Sequence, residues 1–371
     1  MSEVKEKALL GLTLQELTSL AEDAGQPSYR GRQIFEGIYR QRVESLEQIS
    51  NLPQSFRGSL LTAGFSVGFP NIEKKFTATD GTIRYLFTLA DGKSVETVWM
   101  PEGDGGEAGD GSEAGIEEES RTWKRATICV SSQVGCAVDC RFCLTALLGV
   151  QRNLSAGEMV GQICAALNDQ CVMLPQDRLN VVFMGMGEPF LNYDNFMKAV
   201  RLLVDGVGIG ESRMTVSTAG IVPRIYDFGA EPVRPKLAIS LNASNEELRS
   251  RLMPINRKWN LQKLIAAARD FPLRTRERLT FEYVLLNQMN DSVQNARQVA
   301  ELIRGLRAKV NLIALNPGPE IAFETPAEER VLQFQRILIA AGVPAFIRRP
   351  RGRDIFAACG QLKRTVELQA S

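Results

Sequence analysis

From residue 125 onward, short apolar runs rich in β-branched residues alternate with amphipathic stretches of helical period. The runs are ATICVS (126–131), LNVVFMG (179–185), RMTVST (213–218), KLAISL (236–241), LTFEYVLL (279–286) and KVNLIAL (309–315). Between them lie helical patterns such as SAGEMVGQICAALNDQ (155–170) and DSVQNARQVAELIRGLR (291–307). With no hairpin turn signals separating the runs, this order predicts an α/β fold: six β-then-α units forming a parallel sheet with right-handed crossovers, closed or partly closed into a barrel. A final strand candidate, VPAFIRR (343–349), leads into a C-terminal tail.

The pattern before residue 125 is different. TLQELTSLAEDAG (13–25) opens on a Thr cap and closes on Gly25, and SYRGRQIFEGIYRQRV (28–43) follows as a second amphipathic helix. Arg30, Arg32, Arg40 and Arg42 interleave there with Tyr29, Phe35 and Tyr39; the helix is either packed with solvated arginines or an RNA-touching surface. TIRYLFTL (82–89) and KSVETVWM (93–100) alternate around Ala90-Asp91-Gly92, a strong hairpin signal. Residues 101–120 then carry eight acidic residues, six glycines and no basic residue, which reads as a flexible insertion rather than a folded element. The expected organisation is a helical accessory domain (1–70), a β-hairpin extension with the acidic insertion (71–121), a barrel core (122–353) and a tail (354–371).

Composition narrows the chemistry. The 371 residues contain no histidine, which removes Ser-His and Cys-His nucleophile pairs, HExxH zinc sites and any histidine general base. Net charge is +1, but without the eight negative charges of 101–120 it rises to +9, compatible with a polyanionic partner. No long apolar run and no signal-peptide pattern is present, so the cytoplasm is the expected compartment. The seven cysteines are then expected to be thiols, metal ligands or transient redox groups.

Polar and glycine-rich residues gather at the ends of the predicted strands: the cysteine cluster, GMGEP (185–189), Ser217 to Gly220, SLNAS (240–244), Asn287 and Asn316-Pro317-Gly318. In barrel-like α/β folds that rim is where active sites are built. The cluster itself is CAVDCRFC, with Cys136, Cys140 and Cys143 spaced CxxxCxxC. Zinc usually takes four ligands, and there is no histidine to complete the set. A thioredoxin-like pair would leave Cys136 without a role. A [4Fe–4S] cluster takes thiolates at such close spacings, and three of them leave one iron open.

CxxxCxxC after the first strand of such a barrel resembles the radical S-adenosylmethionine (SAM) enzymes. VSSQVGCAVDCRFC, VVFMGMGEPFLN, VSTAG, SLNAS, NPGP and RGRDIFAACGQL are together similar to one family of these, the RlmN/Cfr RNA methyltransferases, and closest to its adenine-C2 branch. The resemblance spans nearly the whole chain, including YRGRQIFEGIY, and breaks at 101–120.

The resemblance implies a [4Fe–4S] cluster held by Cys136, Cys140 and Cys143, with SAM on the open iron, and two SAM per turnover. It implies methylation at C2 of an adenosine in 23S rRNA, at the peptidyl-transferase centre, and in tRNA, 3′ of the anticodon. Adenine-C8 methylation and a non-catalytic iron–sulfur RNA-binding protein are the alternatives. A first SAM would methylate Cys359; the radical from the second would take hydrogen from that S-methyl group, and the carbon would add to adenine. Glu96 matches the family's proton acceptor, and Cys129 its resolving thiol, which pairs transiently with Cys359. On pattern alone, Glu96 is a strand glutamate and Cys129 a buried strand cysteine. Gly187, Glu188, Ser217, Ser240, Leu241, Asn242 and Asn316 match SAM contacts, Asn242 standing where the family usually has histidine. Asparagine keeps a donor and an acceptor but cannot titrate. Cys164 and Cys171 match no role. A flavodoxin-like one-electron donor and a monomeric, membrane-free protein are further expectations.

Overall fold

The computed structural model describes residues 7–101, 107–108, 125–318, 320–358 and 360–362. Its centre is a parallel sheet of seven strands: β4 (Arg125–Cys129), β5 (Arg178–Phe183), β6 (Met214–Thr218), β7 (Lys236–Ser240), β8 (Leu279–Leu285), β9 (Ala308–Ala314) and β10 (Ala345–Arg348). They pair in chain order, every junction parallel. Helices connect them, among them Ala156–Asp169, Tyr193–Leu202, Leu261–Asp270, Val293–Leu302 and Glu328–Ala340. Local chemistry starts three of these helices: Ser155 and Ser292 form capping boxes with Glu158 and Asn295, and Asn260 caps the backbone N–H of Lys263.

An antiparallel meander extends the sheet ahead of β4: β1 (Asn71–Thr77), β2 (Ile83–Thr88) and β3 (Ser94–Pro101), with β3 running antiparallel to β4. The hairpin signal around Asp91-Gly92 locates β2 and β3. β1 carries no such mark: it is an edge strand in which most residues are exposed, so it lacks a strong apolar pattern. A second unexpected pairing, Gln133–Gly135 with Val150–Asn153, brackets the cysteine loop.

Two residues of the acidic stretch pair with the barrel. Pro101 closes β3, and Glu107–Ala108 forms a two-residue strand antiparallel to Arg348 and Ile347 of β10. The outer edge of β10 offers unpaired backbone groups that such a segment can satisfy. The rest of 101–120 lies outside the described residues.

The N-terminal helices Leu14–Asp23, Tyr29–Phe35 and Gln54–Thr62 pack on the barrel flank. Tyr39 is buried, its hydroxyl donating to the Leu12 carbonyl (2.7 Å) and accepting from the Gly11 amide (2.8 Å). Arg42 donates to the Asn168 side chain (3.0 Å) and the Val172 carbonyl (2.7 Å), fastening this region to the first barrel helix. Arg30 donates to Gln33 and to the Asn51 carbonyl. Half of the arginine set is thus structural, and Arg32 and Arg40 face solvent.

Candidate active site

The C-terminal ends of the parallel strands surround one cavity of about 180 Å³. Cys136, Cys140 and Cys143 form one wall, and Gly187, Glu188, Ser217, Ser240, Asn242 and Asn316 reach it from the ends of β5, β6, β7 and β9. The rim expected from the sequence therefore converges, except at Asn287, which instead hydrogen-bonds Glu324 (3.1 Å).

The three cysteines are each half-buried. Burial pushes the Cys136 thiol up to about 12 and raises Cys140 and Cys143 as well, each further lifted or lowered by its neighbours. Ligation must therefore displace protons. Among the described residues, no three His, Cys, Asp or Glu side chains gather closely enough for a single metal ion. A [4Fe–4S] cluster needs no such convergence, because each thiolate serves a different iron. The donor set fits that group.

Gly187 sits at φ +101°, where a Cβ would fall 2.7 Å from the Gln133 backbone nitrogen. Only glycine lets the strand end pass this close. Glu188 is almost fully buried; its carboxylate accepts from the amides of Phe190 (3.0 Å) and Ala219 (2.6 Å). Burial nonetheless pushes its pKa up to about 7, the backbone hydrogen bonds pulling the other way. Ser217 and Ser240 hydroxyls lie 3.1 Å apart on adjacent strands.

Asn242 adopts φ +55°, a left-handed conformation that asparagine tolerates well. Its side-chain oxygen accepts from the Val284 amide (2.8 Å), and its nitrogen faces Met253 sulfur (3.4 Å). Leu241 is fully buried behind the wall, so it presents no side chain to the cavity. Glu282 also lines the cavity, accepting from Asn311 (3.0 Å). It went unnoticed in the sequence, although a carboxylate inside the apolar run LTFEYVLL was the available signal.

Glu96 and Cys129 do not line this cavity. Cys129 ends β4 directly opposite Val98 on β3, and Glu96 lies two residues from Val98, so both occupy one face of the sheet. Glu96 is fully buried and 3.1 Å from Arg84, which is also buried.

Cys359 lies outside the described residues, but its flanks do not. Upstream, the Thr79 amide donates to Asp354 (3.0 Å) and the Gly352 amide to Asp80 (3.1 Å). Arg353 donates to Asn316 at the cavity (3.4 Å). Downstream, the Gly360 carbonyl accepts from the Leu144 amide (2.7 Å), and Gln361 donates to the Pro317 carbonyl (2.5 Å). The tail therefore runs from the meander to the cysteine loop.

A CxxxCxxC loop on the rim of an open parallel barrel defines the radical-SAM class, and the Radical SAM superfamily model matches residues 130–303. The model for the ribosomal RNA large subunit methyltransferase N-terminal domain matches residues 7–63. The chain belongs to the RlmN family of radical-SAM RNA methyltransferases, enzymes that use a [4Fe–4S] cluster and SAM. It is 67% identical to a probable dual-specificity RNA methyltransferase RlmN from Koribacter versatilis, over 93% of this chain and 98% of that one. It is 44% identical to a dual-specificity RNA methyltransferase RlmN from Syntrophobacter fumaroxidans, over 94% and 96%. The crystal structure of a radical SAM methyltransferase from Sphaerobacter thermophilus superposes with a TM-score of 0.86 at 44% identity, covering 95% and 98%.

Proposed function

We propose that this enzyme methylates C2 of adenosine in 23S rRNA and in tRNA through an S-methyl group carried on Cys359. When bound, the cluster supplies the electron that cleaves SAM to a 5′-deoxyadenosyl radical. Cys136, Cys140 and Cys143 would hold it. Gly187, Glu188, Ser217, Ser240, Asn242 and Asn316 bind SAM, with Leu241 contributing its backbone. Cys359 takes a methyl from a first SAM, and after hydrogen loss its carbon bonds to the adenine ring. Glu96 accepts the ring proton, there being no histidine to do so. Cys129 attacks the Cys359 sulfur and leaves a disulfide; the sulfur–carbon bond breaks with its electron pair on the carbon, which takes up a proton to become the methyl group.

The observation that carries this reading is the course of the tail. It is fastened upstream to the turn before β2 and downstream to the residue after the last loop cysteine. Thr82, the residue just before β2, lies 3.0 Å from the Cβ position of Gly352. The described flanks of Cys359 thus reach the turn before β2 on one side and the cysteine loop on the other, which supports its role as methyl carrier.

No described helix is long and apolar enough to cross a membrane. The reading takes the enzyme to be a cytoplasmic monomer reduced by a flavodoxin-like donor, since its ligand and resolving thiols need a reducing compartment. It keeps the division into accessory domain, extension, core and tail given above. Anaerobic reconstitution with iron, sulfide, SAM and RNA, followed by nucleoside mass spectrometry, tests it. The expected product is 2-methyladenosine; 8-methyladenosine without it would overturn the assignment of C2.

A further inference from the structure

Helix Glu246–Leu252 follows the SLNAS segment, and its Arg249 is fully buried. The guanidinium spends its donors on neutral acceptors. Nη2 donates to the carbonyls of Ala219 (2.7 Å) and Ser240 (3.3 Å), Nε to the Leu241 carbonyl (3.3 Å), and Nη1 to the Asn256 side chain (3.0 Å). It thus ties the end of β6 to the end of β7, just behind the residues that form the SAM wall. Among the described residues it forms no ion pair; its four hydrogen bonds go to three carbonyls and one amide oxygen. Glu246 is instead engaged by Asn256 (2.8 Å) and the Gln262 amide (3.0 Å).

A buried cation without an adjacent anion is strongly unfavourable unless something else compensates it. Burial lowers the Arg249 pKa to about 10, while Cys140 and then Glu246 raise it. Arginine remains charged at neutral pH even so. Leu248 and Leu252 of the same helix belong to the apolar cluster against which Cys136 and Cys140 pack. The same helix also anchors the loop directly, the Arg141 amide donating to the Leu252 carbonyl (3.0 Å).

We infer that Arg249 is a positioning residue that sets the SAM-binding wall and supplies the buried positive charge balancing the thiolate-ligated cluster. This rests on the cluster assignment of Cys136, Cys140 and Cys143. Three thiolates give the oxidised [4Fe–4S]²⁺ centre a net charge of about −1 and the reduced centre about −2. A fixed cation on the helix that packs against Cys140 therefore favours the reduced state and raises the reduction potential. It acts through the wall and through the field, touching neither SAM nor substrate.

The test compares wild type, Arg249→Lys and Arg249→Met, each measured without metal and after anaerobic reconstitution. Iron and sulfide content, the midpoint potential from an EPR-monitored titration, SAM affinity and the gain in Tm on reconstitution are read. Arg249→Met is expected to show a more negative midpoint, a smaller Tm gain and SAM affinity weakened about tenfold or more. Arg249→Lys keeps the charge but loses the planar fork, so its midpoint stays near wild type while SAM affinity still falls. A wild-type midpoint and wild-type Tm gain in Arg249→Met would overturn the electrostatic role. Should that variant be insoluble, unchanged SAM affinity or a shifted midpoint in Arg249→Lys overturns the inference. Wild-type protein that takes up no cluster, or whose reduced EPR signal ignores SAM, sinks the cluster assignment and this inference together. A defect confined to Arg249→Met leaves that assignment standing.

Discussion

The Leu144 amide donates to the Gly360 carbonyl at 2.7 Å, joining the residue after Cys143 to the residue after Cys359. The methyl carrier proposed here is thereby one residue from a backbone contact with the cluster loop. Gly360 holds φ +81°, which any other residue reaches only with strain.

Gly360→Ala is therefore expected to shift the tail at a cost of roughly 1–2 kcal/mol. Intact-mass analysis of protein purified without RNA should show the fraction of S-methylated Cys359 falling several-fold, with iron content unchanged. Asp80→Ala, which releases the upstream anchor at Gly352, should act in the same direction. Wild-type methylation in both variants would mean that the anchors do not register the cysteine.

Glu188 predicts a pH dependence. Its folded pKa, pushed up to about 7 from 4.5, means that burial favours the protonated form. That contribution to stability is complete below about pH 4.5 and is lost as pH rises through about 7. The metal-free wild type should lose stability, on the order of 1–3 kcal/mol, relative to Glu188→Gln across that window. Parallel Tm–pH curves for the two proteins would contradict it. If Glu188 holds the ammonium group of SAM as proposed, adding SAM narrows or reverses that difference, because a cation beside the carboxylate favours its ionised form.

The Arg84–Glu96 pair makes a third prediction. Both side chains are buried, 3.1 Å apart, and Arg84 also lies over the Phe76 ring. Arg84→Met removes a buried cation beside a buried carboxylate, which costs about 3–5 kcal/mol. Chemical denaturation should show that loss, and Arg84→Met combined with Glu96→Leu should lose less than the two single losses added together. Strict additivity would show that the pair is not coupled.

Much of the barrel was legible because its strands are buried runs separated by capped helices, a local pattern that the tertiary structure leaves intact. The cysteine loop was legible for the same reason: its ligands fall within eight residues. Edge strand β1 and the 133–135 pairing were not, because an exposed or very short strand carries little hydrophobic signal. Nor was the fate of Arg30 and Arg42, since an arginine bound to carbonyls has the same letter as one in water.

By itself, the chain determined the parallel order of strands, the triplet of thiols and the absence of any histidine base, all properties of residue type and spacing. Only the tertiary structure decided that Glu96 shares a sheet face with Cys129 away from the cavity. The same holds for the anchoring of the tail at Asp80 and Leu144, and for a buried arginine on the helix that packs against Cys140. Those relationships join residues far apart in the chain, and long-range packing and buried charge set them, leaving no periodic trace in the sequence.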